Sequence, residues 1–164
     1  MSERAFTTAS PEATEAAGAA LATLLEPGDA ILLFGDLGGG KTTFVRGLVR
    51  GLGHPDPREV ASPTFAIHHR YEGGRLPVDH LDLYRLEGVE DAMAWQGVLD
   101  PLDDPSGISV IEWPERLPWS PEGLALELHL QRGDGELRRQ LRPVFVGDRG
   151  DRIAAAWPAN VGPD

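Results

Sequence analysis

Gly35-Asp-Leu-Gly-Gly-Gly40-Lys41-Thr42 fits the pattern G-x-x-x-x-G-K-[ST], and each part of it suits a phosphate. Glycines let successive backbone N–H groups turn toward one point and approach it closely. A helix opening at the lysine adds unpaired N–H groups and the positive end of its dipole. Lys41 is placed to reach the β- and γ-phosphates of a nucleotide, and the Thr42 hydroxyl to ligate Mg2+, with Thr43 next in line for a phosphate contact. Composition singles out the same position. Of the 15 basic residues, 14 are arginine and Lys41 is the one lysine. Arginine does not replace a compact, flexible point charge.

A magnesium–nucleotide site also calls for a carboxylate at the end of a neighbouring strand. Asp82 closes the segment Pro77-Val-Asp-His-Leu-Asp82, and Glu112 closes Ile108-Ser-Val-Ile-Glu112. Taken alone, each is equally well a solvated acid at a strand end. If both serve the site, one holds the metal and the other orients or activates water. The expected base is adenine. Guanine-specific proteins of this class use an Asn-Lys-x-Asp motif, and a chain whose single lysine lies in the glycine loop has no second one to supply it. Protein-kinase signatures (HRD, DFG) are absent.

The surrounding elements follow from pattern. Ala30-Ile-Leu-Leu-Phe34 is a continuous apolar run, as in a strand covered on both faces. After the glycine turn, Phe44, Val45, Leu48, Val49 and Leu52 share one face of a helix from Lys41 to about Leu52. An earlier helix is expected over Ser10 to Glu26, capped by Ser10, with Pro11 in its first turn and Pro27-Gly28 as its stop. Val60 to Tyr71 reads as extended and pairs through Gly73-Gly74 with Leu76 to Leu83. A second hairpin joins Leu124–Leu130 to Leu137–Val146 around Gly133-Asp-Gly135. Strand, glycine turn and helix make the βα half of a nucleotide-binding unit. The fold class is therefore α/β, a single P-loop domain with a mixed central sheet flanked by helices. That domain is expected over residues 1–146, with 147–164 a short tail that frays.

The 164 residues bound the alternatives. The length suits one domain with a sizeable core. No apolar run approaches the roughly 20 residues that span a bilayer, and the first residues do not read as a secretory signal. There is no cysteine, which excludes disulfides, thiolate metal sites and cysteine nucleophiles and fits a reducing cytoplasm. A net charge of −11 argues against nucleic-acid binding by this chain on its own. Residues Leu86 to Asp104 carry six acids and no base, and read as a solvated helix and loop.

Four segments in order, GDLGGGKTTF, SPTF (62–65), HLDLYR (80–85) and IEW (111–113), resemble the TsaE family. These are small bacterial P-loop ATPases of tRNA threonylcarbamoyladenosine synthesis. The likeness covers about residues 10–140. It implies ATP and Mg2+ as ligands and slow hydrolysis alone, stimulated in a cytoplasmic complex with TsaD and TsaB. Together these modify the adenosine beside the anticodon, with tRNA met through the complex. By this resemblance Gly38, Gly39, Gly40, Lys41, Thr42 and Thr43 hold the phosphates. Thr42 and Glu112 are the Mg2+ ligands, and Asp82 is the acid essential for hydrolysis. Thr64 falls in a switch-like loop. Trp113 faces a partner or the nucleotide pocket, whereas a tryptophan there taken alone is packing. The segment near Ser10 to Thr14 and an arginine of the last hairpin fall near the nucleotide, Arg139 first and Arg138 next to it, a guanidinium being suited to stacking on the base. The family often has Ala where this chain has Gly39.

Two other functions use the same loop. A small-molecule kinase would take Asp82 as base for an acceptor hydroxyl, and would need a substrate lobe and lid for which little chain is left. A nucleotide-binding interaction module would need no catalytic acid.

Overall fold

The apolar run of 30–34 is strand β2 (Ala30–Phe34), and it lies inside a seven-stranded sheet. The computed structural model describes residues 4–36, 38–61, 67–86, 95 and 99–161. The strands are β1 (Phe6–Thr8), β2, β3 (His68–Tyr71), β4 (Val78–Asp82), β5 (Ile108–Glu112), β6 (Leu124–Arg132) and β7 (Arg139–Phe145), in the order β1-β7-β6-β2-β5-β4-β3. Strands β6, β2, β5 and β4 run parallel, and the outer pairs β1–β7, β6–β7 and β3–β4 run antiparallel. The sheet is mixed, as the two hairpins require, and both hairpins form where the turn glycines predict.

Alternation along the strands divides the core in two. Ile31 and Leu33 of β2 join the larger apolar cluster with α1 (Pro11–Ala22), α2 (Lys41–Gly51) and α3 (Gly147–Ala154). Leu32 faces the other way, into a smaller cluster with Leu81, Leu83, Trp95, Leu99 and Ile111. On α2 the predicted face is the buried one: Phe44, Val45, Leu48 and Val49 have at most 1% exposure. Helices α1 and α2 pack closely because Gly18 and Gly47 stand at their contact. A Cβ on Gly47 would lie inside van der Waals distance of the Glu15 carbonyl, and one on Gly18 would meet the Phe44 carbonyl. Ser10 caps α1 as expected, its Oγ accepting from the Ala13 N–H at 3.1 Å.

Two segments differ from the sequence reading. Residues 147–161 are a packed part of the domain and no frayed tail. Gly147–Ala154 is helical, Ile153 is 1% exposed and Trp157 is wholly buried. The Trp157 Nε1–H donates to the Ala17 carbonyl at 3.0 Å, and its ring meets Phe6, Phe44 and Phe145 edge-on. Burying an aromatic of this size outweighs the weak local patterning of the segment. The second is β1, three residues that owe their strand conformation to pairing with β7. In the acidic stretch 86–104, Asp100–Asp103 is a 3-10 turn, and most of the remainder lies outside the described residues. Among the described residues no helix is long and apolar enough to cross a membrane.

Candidate functional site

Strand β2 ends at Phe34 and α2 begins at Lys41, so the glycine loop sits at the C-terminal edge of the parallel strands. That edge is where open α/β sheets bind ligands. Gly40 is the N-cap of α2 at φ +102°, a left-handed conformation that favours glycine. It turns the chain straight into the helix, so the first N–H groups of α2 are available. The Gly39 N–H donates to the Asp36 carbonyl at 3.0 Å and closes the loop from beneath. A Cβ on Gly39 would lie 3.1 Å from the Asp36 carbonyl oxygen, so even an alanine there needs a small shift of its neighbours.

The two acids end up side by side. Strands β4 and β5 are parallel neighbours in the register Asp82↔Glu112, and Leu33 of β2 pairs with Glu112 on its other side. Both acids are buried, at 6% and 2% exposure. The Asp82 carboxylate accepts from the Tyr84 N–H at 3.0 Å, and the Glu112 carboxylate accepts from the His80 ring, Nε2 to Oε2, at 2.5 Å.

A cavity of about 260 Å3 opens over this edge. Its floor is Gly38, Gly40, Lys41, Thr42 and Thr43, and one wall is Asp82, Glu112 and Trp113. Pro11, Thr14, Leu137 and Arg139 form the opposite wall. The sequence-predicted loop residues other than Gly39, both acids, Trp113 and Arg139 thus converge on one space. Ser10 does not line it: its hydroxyl is spent on capping α1, and the next residue, Pro11, faces the cavity. Thr64 lies outside the described residues.

Lys41 is 5% exposed. Its Nζ donates to the Gly35 carbonyl at 2.5 Å and stands 4.3 Å from the centre of the Trp113 ring. Burial pushes its amine below the usual lysine value, and the charges of Glu112, Asp82, Glu115 and Asp36 oppose that. Trp113 adopts φ 57°, ψ 49°, an uncommon conformation for a bulky residue, directly after Glu112. The turn folds the indole back beneath Lys41, where Tyr84 packs against it at 4.9 Å. Strain of this kind collects at binding sites.

Leu137 has no signal in the sequence, whereas Pro11 and Thr14 fall in the segment near Ser10 to Thr14 that the resemblance sets beside the nucleotide. Leu137 is 57% exposed, an apolar side chain at the mouth of a polar site. They reach the cavity because β1 pairs with β7, which brings the start of α1 beside the last hairpin. The donor set suits a hard cation. Thr42 and Glu112 offer oxygen, and among the described residues no three His, Cys, Asp or Glu side chains group into a metal cage. Magnesium is characteristically held by one or two carboxylates together with phosphate and water.

A family profile described as "Threonylcarbamoyl adenosine biosynthesis protein TsaE" matches residues 8–141. The tRNA threonylcarbamoyladenosine biosynthesis protein TsaE of Bacillus subtilis is 35% identical over 149 residues, 91% of this chain and 90% of that protein. The protein of the same description from Synechocystis is 49% identical over 114 residues, 66% of this chain and 69% of its own. The crystal structure of Bacillus subtilis YdiB superposes with a TM-score of 0.71 at 30% identity, over 94% of this chain and 93% of that one. The profile match runs from β1 through the loop, both strand-end acids and Arg139, and the chain belongs to the TsaE family of tRNA threonylcarbamoyladenosine biosynthesis.

Proposed function

We propose that this chain binds Mg-ATP in the 260 Å3 cavity and hydrolyses it in the cytoplasm, in complex with TsaD and TsaB, in support of threonylcarbamoylation of tRNA. One observation carries the reading: a phosphate loop of correct sequence opens α2 beside two buried carboxylates in register, all facing one space. Gly38, Gly40, Thr43 and the first turn of α2 bind phosphate oxygens through N–H groups. Lys41 exchanges the Gly35 carbonyl for phosphate. Thr42 and Glu112 hold Mg2+, which when bound offsets phosphate charge. Asp82 accepts a hydrogen bond from the attacking water and orients it. The base lies toward Pro11, Leu137 and Arg139, where apolar surface and a guanidinium plane suit a ring. The glycine-loop match and the lack of a second lysine support ATP.

The test is phosphate release from Mg-ATP with and without TsaD, TsaB and tRNA, beside Lys41→Ala. Release stimulated by the partners and reduced at least 100-fold by Lys41→Ala is the expected result. Release indifferent to the partners would break the assignment to the complex. A phosphorylated small molecule in place of free phosphate would make the chain a kinase.

A further inference from the structure

Side chains on alternate residues of a strand share a face. His80 and Asp82 therefore point to the same side of β4, the α2 side, where Val78 joins the larger cluster. Glu112 lies on that side of β5 with Val110, and Tyr71 on that side of β3, opposite Val78. These four make a line of polar groups through apolar packing. His80 is wholly buried. Its Nε2 is 2.5 Å from Glu112 Oε2, and its Nδ1 is 3.4 Å from the Tyr71 hydroxyl. That hydroxyl also lies 3.4 Å from the Ala61 carbonyl and 3.4 Å from His69 Nδ1. The carboxylate is an acceptor, so Nε2 carries the hydrogen in this pair.

None of the chemistry assigned to the cavity uses His80, a wholly buried imidazole with a polar partner at each ring nitrogen. Its bond occupies one oxygen of Glu112 and fixes the carboxylate in a single orientation. A carboxylate held by one oxygen serves an octahedral ion that takes one oxygen from it. It serves poorly a larger ion that commonly takes both. We propose that His80 is the positioning residue that makes Glu112 a one-oxygen ligand and so sets the preference of this site for magnesium over calcium. The inference rests on the Mg-nucleotide reading above.

The experiment titrates the full chain with Mn2+ in saturating ADP, following free Mn2+ by electron paramagnetic resonance, with Mg2+ and Ca2+ as competitors. ADP affinity is measured separately in EDTA. His80→Leu removes the donor. His80→Asn is polar but its amide falls short of Glu112, and it gives the same information if the leucine variant does not fold. His80→Gln restores an N–H at nearly the reach of Nε2. The expected result is about a 10-fold loss of Mg2+ affinity in the first two variants, in the range seen when a group supporting a metal ligand is removed. The Mg2+/Ca2+ ratio narrows, ADP affinity in EDTA is unchanged, and His80→Gln recovers most of the loss. Wild-type cation affinities in His80→Leu or His80→Asn would overturn the proposal. So would an equal loss of ADP affinity in EDTA, which marks a merely structural role. If the wild-type chain with ADP binds no Mn2+, the Mg-nucleotide reading fails first, and that outcome is distinct from the others.

Discussion

The parallel strands carry buried carboxylates at both ends, and the two ends hold them differently. At the N-terminal end, Asp29 before β2 is 4% exposed and bound by Arg149 through Nε at 2.9 Å and Nη2 at 2.5 Å. Its Oδ2 also accepts from the Glu26 N–H. Asp79, early in β4, is 2% exposed and bound by Arg70 and His68. These acids are neutralised by guanidinium groups in fixed geometry, as buried charges must be. At the C-terminal end, Glu112 is held by a ring nitrogen and Asp82 accepts a backbone N–H. The cation nearby, Lys41, gives its hydrogen bond to a carbonyl. Closed charge at one end serves the fold. At the other end, two carboxylates and one ammonium line the same cavity.

This contrast says which acids trade stability for activity. Asp82→Asn keeps an acceptor for the Tyr84 N–H and removes a negative charge from beside Glu112 in the register. We expect ATP hydrolysis with the partners to fall about 100-fold, the scale of losing a group that acts on a proton, while the melting temperature holds or rises. A destabilised Asp82→Asn with normal activity would erase the distinction between the two ends.

The opposite outcome is expected of Asp29→Asn. The substitution leaves the Arg149 guanidinium, whose affinity for its proton is raised chiefly by its hydrogen bond to Asp29, without its counter-charge. Breaking a fully buried pair costs about 3–5 kcal/mol. Arg149 is about a fifth exposed, so water compensates part of this, and about 2 kcal/mol is expected. Thermal unfolding should then move down by roughly 4–8 °C, with hydrolysis per folded molecule unchanged. Loss of hydrolysis in the folded variant would place Asp29 among the functional acids.

How much of this was legible in the sequence depends on how far apart the contacting residues are. β2, the glycine loop and α2 are contiguous, and an apolar run, a glycine cluster and a 3.6-residue period each declare themselves. Asp82 and Glu112 were nameable because each ends an apolar strand segment, but their register is a property of β4 lying beside β5. His80 shares its face with Asp82 by simple alternation, and that much was in the sequence. Its partner Glu112, 32 residues on, was not. Pro11 and Leu137 meet at the cavity only through the pairing of β1 with β7, and three-residue β1 has no pattern of its own. The packing of 147–161 is illegible for the same reason, since α1, α2 and β7 make the pocket that buries Trp157.

The smallest effect concerns a third kind of acid at the closed end. Asp104, in the loop entering β5, accepts from the Ser106 hydroxyl at 2.6 Å and the Ser106 N–H at 2.9 Å, and reaches Arg70 at 3.0 Å. The Ser106 bonds, ahead of Arg70, hold its carboxyl below the usual aspartate value. A carboxyl that titrates lower in the folded chain than in the unfolded one adds stability above the unfolded value. That contribution disappears as pH falls through the folded value. Ser106→Ala removes the hydroxyl bond, keeps the N–H, and should move the Asp104 titration part of the way back up, as read by NMR. The stability difference from wild type should be constant at neutral pH and close to zero once both states are protonated. An unmoved titration would mean that Arg70 holds Asp104, and the guanidinium rule drawn from Asp29 and Asp79 would then extend to the exposed acid as well.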